Sequence, residues 1–398
     1  MKKLLVLTSR YPYPVIGGDK LRIYHVCKEL KRAGFNLTLL SFTEDGQEKT
    51  IQRDDVFSKV VTVWLPWWQS YLNAALGFFS RKPLQVSYYH SRKMQRLIND
   101  TLANASYGGI LAHLIRMAPY AVGAERSRSI TKVIELTDAI SLNYKRSREQ
   151  GSRGLMGLIY KIEEGRVREY EKQCLEKFDA GVVVSRIDAE YLNRNTKNRY
   201  KGKLKVMGNG VMENFLITEE KERDPNLIIF EGNLRTHQNE DAVRYFVEEI
   251  YCPYIKKEAP ETSFEIVGSS PTAYIMGLNG KYDIKVNADV PDVKYELEKA
   301  AVSVAPMRIG AGVQNKVLES MATGTAVVTT AVGAEGITGA KDAEHFVVRD
   351  NPQEFAKEVV SLMKDKNKRK VMGDAEKKLI QENYTFERQL AEYSKLFI

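Results

Sequence analysis

The chain has 398 residues, 43% of them hydrophobic and 28% charged, a balance typical of globular proteins. This length exceeds one ordinary hydrophobic core and predicts two domains. Three widely spaced cysteines without a CxxC or Cys/His cluster argue against a disulfide framework or a zinc site, and no apolar run is long enough for a signal-peptide core or a membrane span.

The charge is unevenly distributed along the chain. Residues 1–205 hold 36 Lys and Arg against 20 Asp and Glu, and the remainder holds 24 against 31. A basic half suits an anionic membrane surface, an acidic substrate or nucleic acid, although solvated charged helices explain it equally well. Because no nucleic-acid recognition module accompanies the charge, we expect no nucleic-acid partner.

The first predicted elements alternate between short apolar runs, typical of strands, and apolar residues spaced three and four apart, typical of helices. Residues 3–9 form a short apolar run typical of a buried parallel strand, and Gly17 and Gly18 follow it. Apolar residues spaced three and four apart then predict a helix that ends at Gly34, before a second strand at 37–42. This strand–loop–helix–strand order indicates a parallel sheet covered by helices.

The same alternation continues to the end of the chain. A loop signal after Met207 predicts the domain boundary. Before it we predict strands at 60–64, 110–114, 132–136, 180–184 and 203–207, and a long helix at 155–177. After it we predict strands at 227–231, 263–267, 284–286, 301–305 and 326–330, and helices at 241–255, 293–300, 313–323, 352–364, 368–382 and 386–397. The predicted fold class is α/β, with two doubly wound parallel-sheet domains facing across a cleft and ligands at the carboxyl ends of the strands.

The segment RIGAGVQNKVLESMATGTAVVTT, residues 308–330, carries the strongest functional signal. It follows a predicted strand, and Gly310 and Gly312 precede a helix that we expect to start near Val313. Backbone N–H groups at such a helix start carry partial positive charge and suit a phosphate group. The glycines allow the backbone to approach the anion closely, although isolated glycine motifs are also common in ordinary turns.

Charged residues complete this segment. Lys316 can add a full positive charge to the phosphate site, and Arg308 can reach it from the start of the loop. Glu319 lies three residues after Lys316, on the same helical face, where a carboxylate can accept hydrogen bonds from ribose hydroxyls. A surface Lys–Glu pair is the alternative interpretation.

This segment resembles the donor-binding signature of glycosyltransferase family four-type enzymes, which have the GT-B fold, and in particular their exopolysaccharide-associated sugar transferases. The resemblance extends over nearly the whole chain, through the segments DAGVVVSRIDAEYL (179–192), IIFEGNLRTHQNEDAVRYF (228–246), FEIVGSSP (264–271) and VGAEGI (332–337). It implies an acceptor-binding domain at 1–207, a nucleotide-sugar-binding domain at 208–380, and a closing helix at 381–398 that crosses back onto the first domain.

Two departures from the family pattern affect the donor site. The first of two glutamates common in the family is replaced here by Ala311. The Arg and Lys that often neutralise the diphosphate are replaced by Asn233 and Gln238. The resemblance therefore implies that the charge of the diphosphate is neutralised by Arg308, Lys316, Arg235 and the backbone N–H groups of the glycine loop.

In the first half, the resemblance assigns Gly17, Gly18 and His113 to the site, and Arg116 and Asp138 are further candidates from their positions near predicted strand ends. Gly17 and Gly18 match a loop that faces the donor sugar and phosphates. His113 matches a histidine near the transferred sugar, where it would polarise or position the sugar; a buried structural histidine is the alternative. Arg116 would hold an acceptor phosphate or hydroxyl. Asp138 would contact the acceptor or cap the next helix, and both interpretations stand.

The implied reaction is transfer of a sugar, with retention of configuration, from a nucleotide-diphosphate sugar to a saccharide or lipid-linked acceptor in surface polysaccharide or glycoconjugate synthesis. His113, Arg308 and Lys316 would be catalytic. The chain contains no DxD motif, and positive side chains with a helix start would neutralise the leaving diphosphate, so we expect no obligatory metal or other cofactor. A nucleotide-sugar epimerase and a catalytically silent sugar-nucleotide-binding subunit are the alternatives.

Residues 64–83 hold all three tryptophans beside Arg81 and Lys82. With the basic first half, this segment suggests contact with an anionic membrane surface or a lipid-linked acceptor. A hydrophobic lid or acceptor groove explains the same residues. The expected location is the cytoplasm, either dissolved or peripheral at the inner face of the membrane.

Overall fold

The computed structural model describes residues 2–15, 17–43, 55–124, 130–149, 154–217, 222–310 and 312–398. It divides into two compact units, one formed by Met1–Gly208 with Leu390–Ile398 and the other by Asn209–Gln389. The first unit ends one residue after the predicted boundary. The closing segment that joins it starts nine residues later than the predicted 381–398.

The first unit contains a seven-stranded parallel sheet with the order β3-β2-β1-β4-β5-β6-β7. Its inner strands are almost entirely buried because helices cover both faces, which is why they appear in the sequence as continuous apolar runs. The strands are β1 (Lys3–Thr8), β2 (Asn36–Thr43), β3 (Lys59–Trp64), β4 (Gly109–His113), β5 (Thr131–Thr137), β6 (Ala180–Val183) and β7 (Leu204–Val206).

The helices of the first unit fill the connections between these strands. They are α1 (Gly18–Arg32), α2 (Trp67–Phe78), α3 (Leu84–Tyr88), α4 (Arg92–Asn104), α5 (Ala118–Val122), α6 (Ile140–Glu149), α7 (Gly154–Lys177) and α8 (Arg186–Asn195). A short 3₁₀-helix at Tyr393–Phe397 also packs in this unit. The buried Tyr393 hydroxyl donates to Glu135 on β5 over 2.7 Å, which ties the closing segment to the sheet.

The second unit contains a six-stranded parallel sheet with the order β10-β9-β8-β11-β12-β13. The strands are β8 (Asp224–Glu231), β9 (Ser263–Gly268), β10 (Ile284–Ala288), β11 (Ala300–Ala305), β12 (Ala326–Thr329) and β13 (Val347–Val348). Each of the five strands predicted here from sequence is present. The sixth, β13, was not predicted because two residues give no periodic signal.

The helices of the second unit are α9 (Glu213–Leu216), α10 (His237–Tyr245), α11 (Lys256–Glu258), α12 (Ala273–Met276), α13 (Val293–Lys299), α14 (Asn315–Thr323), α15 (Ala331–Ala334), α16 (Pro352–Lys364), α17 (Lys366–Asn383) and α18 (Phe386–Leu390). The predicted helix at 241–255 begins earlier, at His237, and continues from Phe246 to Ile255 as a π-helix. Pro253 lies inside that wider stretch and lacks an N–H donor. Within the described residues, no helix is both long and apolar enough to cross a bilayer.

Candidate functional site

Each sheet has one point where the strand order reverses. In the first unit it lies between β1 and β4, and in the second between β8 and β11. Loops that leave such neighbouring strands diverge to opposite faces, so a crevice forms at the carboxyl ends of the two strands and ligands bind there. The residues predicted for function are found mainly at these two positions.

In the second unit, α14 begins at the reversal point. It starts at Asn315, two residues later than predicted, because Gly312 has a left-handed φ of 74° and Gln314 is extended with ψ of 104°. Lys316 therefore lies in the first turn of the helix. No side chain of the described residues caps this end, so no side-chain cap competes there with an anion for the first N–H groups of the helix.

The Lys316 side chain is buried with only 9% exposed. Its ammonium donates to Asn239 on α10, lies 3.7 Å from the Met307 sulfur and stands 4.4 Å from the centre of the Phe230 ring. Among the described residues, no carboxylate forms an ion pair with it. Burial lowers the Lys316 pKa to about 8, although Glu231 and Glu319 oppose that shift.

Two glutamates face this lysine from different elements. Glu231 is the last residue of β8, and Glu319 lies one turn after Lys316 on α14. Burial raises the pKa of both carboxyl groups, and the hydrogen bond that they share raises the pKa of Glu319 further. Glu319 thus holds the proton and donates it to Glu231. The other oxygen of Glu231, Oε1, is buried and has no hydrogen-bond partner among the described residues.

Two glycines bring the backbone together beside this cluster. Gly268 has a φ of 153°, and a Cβ atom there would lie 1.7 Å from the Gly232 carbonyl oxygen. At Gly232, a Cβ atom would lie 2.8 Å from the Asn239 amide nitrogen and 3.1 Å from the Lys316 ammonium. Side chains at either position would close the crevice in front of the lysine.

Arg308 lies against another part of α10. Its guanidinium makes two hydrogen bonds to Asp241, of 2.6 and 3.1 Å, and stands 4.5 Å over the Tyr245 ring. The paired carboxylate raises the Arg308 pKa. Asp241 lies two residues after Asn239, the partner of Lys316, so α10 holds both predicted cations.

The remaining donor-site predictions fall in two loops. Asn233 and Arg235 are exposed at the end of β8; the Asn233 side chain accepts the Arg235 N–H over 3.2 Å, and its carbonyl accepts from Asn239 over 2.8 Å. In the other loop, Gly310, Gly312 and Val313 are buried just before α14. Ala311 lies outside the described residues.

In the first unit, His113 ends β4 at the reversal point, paired in register with Glu135. It is 3% exposed, and its Nε2 atom has no hydrogen-bond partner among the described residues. Burial lowers the His113 pKa to about 3; Asp19 opposes this shift, and Arg116 and Arg22 reinforce it. The histidine is therefore neutral at physiological pH, and can accept or donate a hydrogen bond through Nε2.

The backbone is strained at the ends of two neighbouring strands, at Leu114 just after β4 and at Thr137, the last residue of β5. Leu114 and Thr137, which border His113 and Asp138, have φ values of 67° and 66°, a region that β-branched and bulky residues rarely adopt. Such conformations occur mainly where surrounding structure enforces them, often at functional sites. The Leu114 N–H donates to the Glu135 carbonyl over 2.8 Å, which holds the turn after His113.

Arg116 and Asp138 occupy the same end of the sheet. Arg116 donates to Gln85 over 3.2 Å and stands 5.4 Å over the Tyr89 ring. Burial, reinforced by the nearby Asp188 charge, raises the Asp138 pKa to about 7. The first amides of α6 are bound by Asp188 and Glu171. The structure therefore gives the helix-capping role to those two residues.

Gly17 and Gly18 begin α1, after the loop that leaves β1. Gly17 is its N-cap, with φ of 95° and ψ of 145°, and both glycines are exposed. Asp19, the next residue, acts electrostatically on His113 and opposes the lowering of its pKa. The glycine loop and the histidine thus belong to the same end of the first unit.

Several buried polar residues at these positions were missed from sequence. Glu231 and Asn239 surround Lys316, and Arg22 and Glu135 form a buried ion pair of 3.4 Å near His113. Two of them carried a signal in the sequence, because Glu231 ends an apolar strand and Glu135 lies inside one. Nothing local marks Asn239 or Arg22, whose partners lie 77 and 113 residues away.

Comparison with known proteins adds a family match in the second unit. Residues 225–365 match the model of the family described as Glycosyl transferases group 1. The whole chain is 23% identical to an uncharacterized 44.6 kDa protein in the cps region of Klebsiella pneumoniae, over 96% of this chain and 97% of that one. A segment of 112 residues, 26% of this chain and 29% of the relative, is 27% identical to an uncharacterized glycosyltransferase from Methanocaldococcus jannaschii.

Solved structures match over the entire length. Sucrose-phosphate synthase from Thermosynechococcus elongatus is 15% identical with a TM-score of 0.74, covering 100% of this chain and 98% of that one. Anabaena HepE in complex with UDP is 13% identical with a TM-score of 0.69, covering 99% of both chains. These findings support a glycosyltransferase. The resemblance recognised in the sequence is therefore confirmed: the chain has the GT-B fold, and residues 225–365 of its second unit match the glycosyl transferases group 1 model.

Proposed function

We propose that the protein is a metal-independent, retaining glycosyltransferase that moves a sugar from a nucleotide-diphosphate sugar to a saccharide or lipid-linked acceptor. One observation carries the proposal: Lys316 is a buried ammonium with a neutral amide and an aromatic ring as neighbours, at an uncapped helix start. A buried charge whose hydrogen-bond partner is neutral and which has no direct ion pair among the described residues is costly. A diphosphate placed there supplies negative charge in direct contact with the ammonium, in addition to the nearby carboxyl groups of Glu231 and Glu319.

The ionisation of the neighbours supports this assignment. Without a ligand, the raised pKa values of Glu231 and Glu319 and the lowered pKa of Lys316 all favour neutral forms. An anion against the ammonium favours its charged form and returns its pKa upward. Lys316, Arg308 and the start of α14 would then stabilise the charge that develops on the leaving diphosphate.

We assign the acceptor to the first unit, near His113. A neutral imidazole with an unpartnered Nε2 atom can orient a sugar hydroxyl without competing for the diphosphate charge. Retention of configuration and a role in surface polysaccharide synthesis rest on the family resemblance and on the relative from the Klebsiella pneumoniae cps region.

The test is a thermal-shift screen of nucleotide sugars, starting with UDP-sugars because HepE was solved with UDP. Hits are then incubated with a panel of glycosides and lipid-linked saccharides in EDTA, and the anomeric configuration of each product is determined by NMR. Transfer with the donor's configuration is expected. Conversion of the donor alone would indicate an epimerase, and nucleotide binding without any product would indicate a silent binding subunit.

We also propose that the first unit contacts an anionic membrane through α2, which places the protein at the inner face of the membrane. This helix has no charged residue, and most of its large apolar side chains are exposed. Leu76 is 66% exposed, and Phe79 just after the helix is 90% exposed. Exposed Arg81 and Lys82 follow directly and complement anionic headgroups.

Vesicle sedimentation tests this contact. The protein should bind vesicles of phosphatidylcholine with phosphatidylglycerol, and the Leu76→Ala/Phe79→Ala variant should bind several-fold less. The matched control is Tyr282→Ala/Val371→Ala, which removes two equally exposed apolar side chains from the second unit. Equal loss in both variants, or no vesicle binding by the unmodified protein, would refute the membrane proposal and leave the transferase proposal intact.

A further inference from the structure

A cavity of about 150 Å³ lies in the first unit, beside the site described above. It opens at the carboxyl ends of β1, β2 and β3, the end of a parallel sheet where ligands bind. The residues that line it include Ser9, Phe42, Thr43, Trp67, Tyr88 and Tyr89. Of these residues, only Trp67 had been given a role from the sequence, as part of the aromatic segment 64–83.

Two hydroxyl groups in the wall of this cavity lack partners. Ser9 and Thr43 are 2% and 9% exposed, and neither Ser9 Oγ nor Thr43 Oγ1 has a hydrogen-bond partner among the described residues. A buried hydroxyl without a partner costs free energy and is uncommon in native proteins. Two of them in one cavity indicate a ligand with hydroxyl groups of its own.

Aromatic rings form another part of the wall. Tyr88 and Tyr89 lie edge to face with ring centres 5.1 Å apart, and Tyr71 joins Tyr88 to Trp67 through ring contacts of 5.8 and 6.2 Å. Apolar walls with a few placed polar groups are typical of small-molecule pockets, and the combination suits a sugar ring, which has apolar C–H faces and a polar rim.

Two side chains connect the cavity with the proposed reaction centre. Tyr89, in the cavity wall, lies under the Arg116 guanidinium, 5.4 Å from it, and Arg116 acts electrostatically on His113 and lowers its pKa. The cavity and the histidine therefore belong to the same carboxyl end of the sheet, where β4 lies next to β1.

We infer that this cavity binds one pyranose ring of the acceptor, with Ser9 and Thr43 as hydrogen-bond partners and Trp67, Tyr88 and Tyr89 as the apolar wall. Its volume corresponds to about five water molecules, which suits a single ring rather than an oligosaccharide. The inference rests on the proposed transferase function and adds to it the place in the first unit where a sugar ring of the acceptor binds.

Saturation-transfer NMR with the full chain tests this assignment. Methyl glycosides of common hexoses and N-acetylhexosamines are the probes, and glycerol is the polyol without a ring. We expect transfer to at least one glycoside and not to glycerol. Ser9→Ala and Thr43→Val should each weaken that binding by about 3- to 10-fold, the range expected for one hydrogen bond. Their melting temperatures should be unchanged or higher, since each removes an unpartnered hydroxyl.

Matched substitutions on α2 locate the effect. Trp67→Ala should weaken glycoside binding by at least as much as the hydroxyl variants, whereas Trp68→Ala, on the same helix and outside the cavity wall, should not. Absence of glycoside binding, or binding that survives Ser9→Ala, Thr43→Val and Trp67→Ala, would overturn the inference. Nucleotide binding measured on the same samples separates this outcome from failure of the transferase proposal, because the donor residues lie in the second unit.

Discussion

The two reversal points share one topology and use it differently. In the second unit, the backbone reaches its position through glycines at 232, 268 and 312, and the charged group is a buried lysine. In the first unit, non-glycine residues, Leu114 and Thr137, adopt left-handed conformations, and the central group is a neutral histidine. Topology therefore fixes where a site forms, whereas the residues at the strand ends decide whether it suits an anion or a neutral polar group.

The largest effect that this comparison predicts is at Lys316. Lys316→Ala should reduce kcat/KM for transfer by about 10³-fold, because it removes the buried charge beside the diphosphate. Initial-rate kinetics and nucleotide binding by calorimetry measure it. Since the Lys316 pKa is about 8, nucleotide affinity should also fall as pH rises through 8 and the ammonium is lost.

Lys299 provides the matched control for this substitution. Its ammonium also stands beside an aromatic ring, Tyr295 at 4.1 Å, but it is partly exposed, forms an ion pair of 2.7 Å with Glu296 and has a raised pKa. Lys299→Ala should leave kinetics unchanged. Normal turnover by Lys316→Ala would contradict the assignment of the phosphate site to the second unit.

The next effect concerns the glycines of the second unit. Gly268→Ala should lower the free energy of unfolding by about 3 kcal/mol, since its Cβ atom would overlap the Gly232 carbonyl oxygen. Denaturant unfolding measures the change. Gly280→Ala is the control: Gly280 also has a positive φ, of 79°, but no atom lies within 4 Å of its Cβ position, so only about 1 kcal/mol is expected. Equal losses of unfolding free energy in the two variants would show that overlap with the Gly232 carbonyl oxygen does not add to the cost at Gly268.

His113 gives the corresponding test in the first unit. His113→Asn should reduce kcat by about 10²-fold and leave nucleotide affinity unchanged. The native pKa is about 3, so between pH 6.5 and 3 the unfolded chain binds a proton that the native state does not. Stability therefore falls with falling pH in this window, by up to about 1.4 kcal/mol per pH unit, and His113→Asn should flatten that slope.

Two observations would contradict this role for His113. Unchanged turnover in His113→Asn would return the residue to a structural role. An unchanged slope of stability against pH would show that another group accounts for the acid sensitivity. Asp138 acts in the opposite direction, because its raised pKa of about 7 lets the native state bind a proton before the unfolded chain does, which stabilises the native state as pH falls.

The smallest effect is expected at Arg308. This side chain is 45% exposed and already paired with Asp241, so Arg308→Ala should weaken donor binding by about tenfold and change stability by less than about 1 kcal/mol. Calorimetric titration with the donor measures the first quantity. Asp241→Asn, which keeps the shape of the partner and removes its charge, should bind the donor at least as well as the unmodified protein. A weaker donor affinity in Asp241→Asn would indicate that the pair positions Arg308 for the diphosphate.

Local sequence predicted most of the framework. Buried parallel strands are continuous apolar runs, and helices between them have periodic apolar faces, so element order followed directly. The spacing of three between Lys316 and Glu319 also predicted their proximity, which the structure confirms. The start of α14 was placed two residues early because the left-handed Gly312 and extended Gln314 leave no mark in the apolar pattern.

Long-range partners were beyond such reasoning. Nothing in the sequence near Lys316 indicates that Asn239 accepts a hydrogen bond from its ammonium. Nothing near Arg308 indicates that it pairs with Asp241. The cavity depends on Ser9 just after β1, Thr43 at the end of β2 and Trp67 at the start of α2, which meet only in the folded sheet. The aromatic segment 64–83 was open to two interpretations, and the structure shows three of its residues in a cavity wall and several others exposed.

The return of residues 390–398 to the first unit has a consequence for biosynthesis. Tyr393, which is fully buried against Glu135, is translated only after all of Asn209–Gln389. At about 5 to 20 residues per second, this interval lasts on the order of 10 to 40 s. A nascent first domain must therefore wait on the ribosome with Glu135 and the buried Arg22 lacking the tyrosine that completes their pocket, and chaperones have that interval in which to engage it.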